Sequence, residues 1–218
     1  MKAQDLFVKI CGITNLQDAE LAVSVGADAI GFIFFKDSPR TIAPERARAI
    51  AAELPEHISK IGVFVNDDRK SIHDIVDRVH LSAVQLYGKE GPDDLVNYET
   101  SVIKAFRVGP GFDVEVMHNY LVDAFLLDAY KEGIFGGTGD TFDWNVAVKA
   151  KEYGRIILSG GLNIENIESA VTFVQPYGVD VSSGVELRVG KKDPSRVRDF
   201  VAAARNASLT SNIDTDRE

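Results

Sequence analysis

Short runs rich in Val, Ile and Phe alternate with stretches of helical period from the first residues almost to the last, and no other feature narrows the fold of this chain as far. The runs predict strands at 6–11, 28–34, 59–65, 83–87, 102–106, 124–128, 155–159 and 179–182. Helices are predicted over 16–25, 45–54, 69–79, 144–153, 164–174 and 195–205, with a weaker helical stretch at 113–120. The strands are almost wholly apolar, which implies burial on both faces and hence a parallel sheet covered by helices. Eight such units in 218 residues fit a single-domain α/β protein, a small (βα)8 TIM barrel. An open doubly wound sheet usually places a Gly-rich turn behind its first strand; here that strand ends in Cys11-Gly12-Ile13, which is no dinucleotide fingerprint.

The punctuation agrees with these elements. Thr14 or Asn15 can cap the first helix, Pro44 suits an opening helical turn, and Gly26 and Gly178 suit positions just past a helix, where left-handed backbone is needed. The barrel is expected to span residues 1–206. Residues 207–218 are polar and are expected to fray into a disordered tail.

Composition removes several classes of function. Lys and Arg number 24 against 33 Asp and Glu, and a net charge of -9 argues against a nucleic-acid or anionic-membrane partner. No apolar run approaches the roughly 18 to 20 residues that span a bilayer. Met1-Lys2-Ala3-Gln4-Asp5 lacks the basic and apolar regions of a signal peptide. Cys11 is the single cysteine, so neither an internal disulfide nor a multi-cysteine zinc site can form. A cytoplasmic protein acting on a small molecule is expected.

In such a barrel the chemistry gathers at the C-terminal rim of the strands. The seventh strand ends in Ser159-Gly160-Gly161 and the eighth in Ser182-Ser183-Gly184. Paired glycines there expose backbone N–H groups to an anion, which points to a phosphorylated substrate; a tight strand-to-helix turn is the plainer alternative. Asp128 closes the apolar strand Phe125-Leu126-Leu127-Asp128. A carboxyl in such surroundings should have a raised pKa and could donate a proton, although Asp also commonly caps turns. Strands seven and eight lie between strands six and one once the ring closes, so the phosphate cradle separates Asp128 from Cys11.

A lone cysteine at a strand end is most often an inert buried hydrophobe. The two-residue period, however, puts Lys9 and Cys11 on one face of the first strand, so an ammonium is expected one layer below the thiol, favouring thiolate. An acid and a base flanking an anchored phosphate suit isomerisation by proton transfer. With these roles, the acidic limb of a pH profile would belong to Cys11 and the alkaline limb to Asp128. Arg40, in Ser38-Pro39-Arg40 behind the second strand, could clamp a second anionic group. His57, His73, His80 and His118 fall away from the strand ends without ligand spacing, so the reading calls on no metal and no cofactor. A metal-dependent phosphosugar epimerase would want His and Asp ligands at those ends. A noncatalytic phosphosugar-binding barrel is the alternative from outside the enzymes.

Six motifs, Val8-Lys9-Ile10-Cys11-Gly12-Ile13-Thr14, Gly26-Ala27-Asp28-Ala29-Ile30-Gly31-Phe32-Ile33-Phe34, Ser38-Pro39-Arg40, Gly136-Gly137-Thr138-Gly139, Ser159-Gly160-Gly161-Leu162 and Asp180-Val181-Ser182-Ser183-Gly184-Val185-Glu186, together resemble the phosphoribosylanthranilate isomerase family from about residue 7 to about residue 205. The resemblance implies a (βα)8 barrel of tryptophan biosynthesis that converts N-(5-phosphoribosyl)anthranilate into 1-(2-carboxyphenylamino)-1-deoxyribulose 5-phosphate by an Amadori rearrangement, acting as a monomer or homodimer. It puts a general base at Cys11, a general acid at Asp128 and a carboxylate-binding arginine at Arg40. It also puts a strand-eight aspartate at Asp180 and phosphate loops at Gly160, Gly161, Ser182, Ser183 and Gly184. Tyr87 stands where the family commonly carries His, Thr41 where an aromatic often follows the arginine, and Val189 where Pro is usual before Gly190.

Overall fold

Eight parallel strands close into a ring in chain order: β1 (Phe7–Cys11), β2 (Ala29–Ile33), β3 (Ser59–Phe64), β4 (Ala83–Leu86), β5 (Ser101–Val108), β6 (Ala124–Ala129), β7 (Ile156–Leu158) and β8 (Gly178–Val181). β8 pairs with β1 to complete it. The computed structural model describes residues 5–96, 98–129 and 141–215. Alternation along each strand makes two separate cores. Val8, Ile10, Ile30, Phe32, Val84, Leu127, Leu158 and Val179 face outward into the layer shared with the helices. Ala29, Ile61, Val63, Ala83, Ile103, Ala105, Leu126 and Ile157 fill the barrel. At the C-terminal rim the inward register turns polar, with Lys9, Gln85, Asp128 and Asp180 all buried.

The outer layer contains α1 (Leu16–Ser24), α2 (Pro44–Ala52), α3 (Arg69–Val79), α4 (Trp144–Ala150), α5 (Ile167–Val174) and α6 (Pro194–Thr215). Asn15 caps α1 by accepting from the Asp18 backbone N–H, Pro44 opens α2, and Gly26 takes φ +92° behind α1. The crossovers behind β4 and β5 hold 3-10 turns, Pro92–Leu95 and Val114–Asn119, so the helical stretch expected at 113–120 is a tighter coil. Short segments next to Gly91 and Gly111 have too few residues to propagate an α-helix. Gly178 does not follow a helix as expected: it opens β8, where a Cβ would meet the Phe7 carbonyl oxygen at 2.7 Å, while Gln175 supplies the left-handed turn at φ 47°.

Two further features depart from the sequence expectation. α6 continues beyond residue 206, because its buried stripe of Val197, Phe200, Val201 and Ala204 runs on to Ala207 at helical spacing. A hairpin of β9 (Glu186–Arg188) and β10 (Lys191–Lys192) follows β8 and turns at Gly190, φ +74°. Thr14 Oγ1 donates to the Gly190 carbonyl at 2.7 Å, and Asp18 accepts from the Lys192 backbone N–H at 2.8 Å and from Lys191 Nζ at 2.5 Å. The hairpin is thus stapled to the loop that leaves β1. Among the described residues no helix is long and apolar enough to cross a membrane.

Candidate active site

One cavity at the C-terminal mouth of the barrel is lined by Cys11, Arg40, Tyr87, Asp128, Asp180 and Ser182, with Phe35, Val63 and Val65 among its apolar wall. Residues far apart in the chain meet there because each ends a strand, or follows one, at an inward position. Cys11 lies opposite Gly31 of β2, and a Cβ on that glycine would come within 2.7 Å of the sulfur, so the thiol occupies room that only glycine leaves.

Lys9 is below Cys11 on the same face, as expected, but its charge is engaged. Its Nζ donates to Asp180 Oδ1 at 2.8 Å across the β1–β8 seam, fully buried, and Ser159 Oγ lies 3.4 Å from the other Asp180 oxygen. Burial pushes the Cys11 thiol above its ordinary range; Lys9 opposes this, while the negative Asp180 reinforces it. The expectation that Lys9 would yield a ready thiolate is therefore corrected. Desolvation acts on the sulfur directly, whereas the ammonium's field is offset by the aspartate it binds.

Asp128 is 5% exposed, and burial raises its carboxyl to about 6. It is not the isolated group that the sequence suggests. Tyr87 donates its hydroxyl to Asp128 Oδ2, and Arg107, which pairs in register with Asp128 from β5, also holds the carboxyl down; Asp180 pushes it further up.

Arg40 is not a free loop guanidinium either. Its Nε and Nη2 donate in parallel to the two Glu186 oxygens, both at 2.8 Å, with the side chains nearly buried. Lys192 Nζ lies 3.1 Å from the same carboxylate and donates to the Ser182 carbonyl at 3.0 Å. Against the burial that pushes it up, Arg40 and Lys192 keep Glu186 below the usual carboxylate range. One edge of the guanidinium is thus fixed by β9. Two cations sharing one anion leave a net positive charge beside Cys11.

The two glycine loops lie between these groups. Gly160 and Gly161 have φ +79° and +66°, and Asn166 Nδ2 donates to the Gly161 carbonyl at 2.9 Å, fixing the turn before α5. A Cβ on Gly160 would fall 2.3 Å from the Ala129 nitrogen, and one on Gly184 1.9 Å from the Leu162 carbonyl oxygen, so the β7 loop is pressed against the end of β6 and the β8 loop against the β7 loop, backbone to backbone. Ser182 Oγ is buried and has no hydrogen-bond partner among the described residues. Such a hydroxyl can donate to or accept from a polar ligand group. Gly184→Ala is expected to cost about 1–3 kcal/mol through overpacking, a fall of several degrees in Tm. Thermal melts check this; an unchanged Tm would show that the two loops can part freely.

The structure brings Cys11, Asp128, Arg40, Asp180 and Ser182 to one cavity. Gly160, Gly161, Ser183 and Gly184 do not line it: Gly160 lies beside Asp128 Oδ1, and Ser183 and Gly184 follow Ser182 in a 3-10 turn. Gly136-Gly137-Thr138-Gly139 falls outside the described residues. Sequence reasoning missed Arg107 and gave Tyr87 no role, although both sit at the inward period of their strands, after Ala105 and Gln85. Glu186 and Lys192 carry no such signal, since only the hairpin returns them to Arg40.

The model of the N-(5'phosphoribosyl)anthranilate (PRA) isomerase family matches residues 8–203. The N-(5'-phosphoribosyl)anthranilate isomerase of Pelobacter propionicus is 50% identical over 204 residues, covering 94% of this chain and 98% of that protein. The crystal structure of phosphoribosyl anthranilate isomerase from Thermotoga maritima superposes with a TM-score of 0.85 at 42% identity, covering 92% of this chain and 99% of that one. A solved complex of the isomerase with reduced 1-(o-carboxyphenylamino)-1-deoxyribulose 5-phosphate gives a TM-score of 0.82 at 41% identity, with 92% and 99% covered.

Proposed function

The chain belongs to the N-(5'-phosphoribosyl)anthranilate isomerase family, and from that premise we propose that Cys11 and Asp128 carry out its reaction as base and acid. The enzyme converts N-(5-phosphoribosyl)anthranilate into 1-(2-carboxyphenylamino)-1-deoxyribulose 5-phosphate in tryptophan biosynthesis. The observation that carries the assignment of roles is the shared cavity, in which a thiol and a carboxyl with a raised pKa flank the two glycine loops. The loops and Ser182 take the phosphate, which fixes the ribose between the two groups. Asp128 protonates the ring oxygen, and the bond from that oxygen to C1′ breaks as the anilino nitrogen lone pair forms an iminium. Cys11, as thiolate, then removes the C2′ proton, and the electrons of that bond neutralise the iminium to give an enolamine. In ketonisation C1′ gains a proton as the C2′ hydroxyl loses its own, so the gains and losses cancel, both groups are reset and the product is an isomer of the substrate. Lys9 and Asp180 hold the floor of this site; the soluble substrate suits a cytoplasmic enzyme, monomeric or homodimeric.

Following the loss of phosphoribosylanthranilate fluorescence with the purified protein tests the reading. Turnover is expected without added metal or redox cofactor; a protein that binds the phosphate ester but never consumes it would be the noncatalytic barrel instead.

Arg40 grips the anthranilate carboxylate, whose charge does not change during reaction. Arg40→Ala is therefore expected to raise KM by about tenfold to a hundredfold with a smaller effect on kcat. Glu186→Gln, which loosens the guanidinium without deleting it, is expected to act in the same direction but less. With an aniline analogue lacking the carboxylate, both effects should disappear. An equal loss on both substrates would place Arg40 in loop architecture alone.

A further inference from the structure

The acid and base leave unexplained a phenol that the fold sets against one of them. Tyr87 follows Ala83 and Gln85 on the inward period of β4, and its hydroxyl donates to Asp128 Oδ2 within the barrel mouth. Burial and the neighbouring carboxylate push the phenol's ionisation well above the tyrosine range, so it is a donor at every pH where the enzyme would work and cannot itself be a base. The other carboxyl oxygen faces elsewhere. Asp128 Oδ1 lies beside Gly160, where an added Cβ would come within 2.9 Å of it. One oxygen is thus held from β4, and the other opens onto the glycine loop behind β7.

The geometry points to Tyr87 as a positioning residue that anchors Asp128 through Oδ2 and so keeps the transferable proton on Oδ1, the oxygen facing the phosphate loop. The inference rests on Asp128 being the general acid. A carboxylic acid can carry its proton on either oxygen; a donor already on Oδ2 disfavours a proton there and stops the group from turning. The same bond favours carboxylate over acid, which makes Asp128 a stronger proton donor at the oxygen that remains. The other groups around Asp128 are Arg107 on β5, Asp180 on β8 with Lys9 of β1 bound to it, and its own neighbour's backbone N–H at Ala129. Cys11 on β1, Ser159 on β7, Gln85 on β4 and, from the loops, Ser38, Arg40 and Ser182 are the other polar groups at the cavity. Gln85 carries no charge and stays in place in a variant of position 87, so that change tests the phenol and not the charges around Asp128.

Tyr87→Phe keeps the ring and removes the donor. Its kcat is expected to fall by about tenfold to a hundredfold, as a general acid loses alignment. The limb of the kcat/KM profile that titrates Asp128 is expected to move up by about one pH unit. The substrate's own phosphate ionisation is common to parent and variant and cancels in the difference. Placing 3-fluorotyrosine at position 87 alone preserves the fold and sharpens the donor, so the same limb should move down. That arm decides the matter even if the Phe variant does not fold. A limb unmoved in the fluorotyrosine enzyme, or a Phe variant with full kcat and an unmoved limb, overturns the proposal. Inert Asp128→Asn together with an unmoved limb sinks the Tyr87 role alone, whereas turnover by Asp128→Asn sinks the acid assignment on which it rests.

Discussion

Asp128→Asn is expected to lower kcat by about 10²–10⁴-fold, the usual contribution of a positioned general acid, while product binding and the fold persist. An amide matches the carboxyl in shape and its oxygen still accepts the Tyr87 hydroxyl, so only the proton is lost. The same substitution should stabilise the protein. Asp128 titrates near 6 in the folded chain against about 3.9 when unfolded, so the native state binds its proton more tightly. Its contribution to stability is full below about pH 4 and is lost as the pH rises through 6, because ionisation then has to occur in a buried site. Asn carries no such penalty. Urea unfolding is expected to show the variant about 3 kcal/mol more stable at pH 8 and the difference gone near pH 4. Turnover within about tenfold of the parent would remove Asp128 from the chemistry. Equal stability of the two proteins at pH 8 would show instead that Tyr87 and Arg107 offset the burial in full.

The parts of this site that are legible in the linear chain are those set by strand periodicity. Apolar runs mark the strands because both faces of a barrel strand are buried, and the same two-residue step puts Lys9 with Cys11 and Asp128 with Leu126 on the inner face. Closure of the ring then makes neighbours of residues at opposite ends of the chain. What periodicity cannot supply is the partner across the seam. Lys9 is two residues from Cys11 but bonds Asp180, 171 positions away, and the thiol's surroundings follow from that pair rather than from the spacing. Arg40 is similar: in the sequence it reads as a clamp for a ligand's anionic group, yet Glu186 and Lys192 return to it on a hairpin whose strands, of three and two residues, are too short for any alternation to register. Tyr87 and Arg107 lay within reach, as continuations of inward-facing rows. A polar side chain at the end of such a row is itself the signal, whatever residue type the row ends in.

Cys11→Ser is expected to lower kcat/KM at least about a hundredfold and to remove one limb of its pH profile, and the structure decides which limb. Asp128, the group that must carry a proton, ionises near 6; Cys11, the group that must lack one, is held by burial above its ordinary 9.0. The order of the two is the reverse of that expected from the sequence, where Lys9 is set to lower the thiol against the opposing phosphate and carboxylate of the substrate. A bell-shaped profile then rises through the ionisation of Asp128 and falls through that of Cys11, because between these limits the protein carries one proton shared by two sites. Most of that population is carboxylate with thiol. The competent form, acid with thiolate, is the minor one, because burial raises the thiol while the carboxyl ionises near 6. A low population does not preclude catalysis, since a more basic thiolate is also the stronger base toward the C2′ carbon. Serine keeps the size and the hydrogen bonding, but its hydroxyl is too weak an acid to ionise in this range. In Cys11→Ser the alkaline limb should therefore vanish while the limb near 6 stays. Parent-like activity with both limbs in place would return Cys11 to the packing role that its burial beside Gly31 otherwise explains.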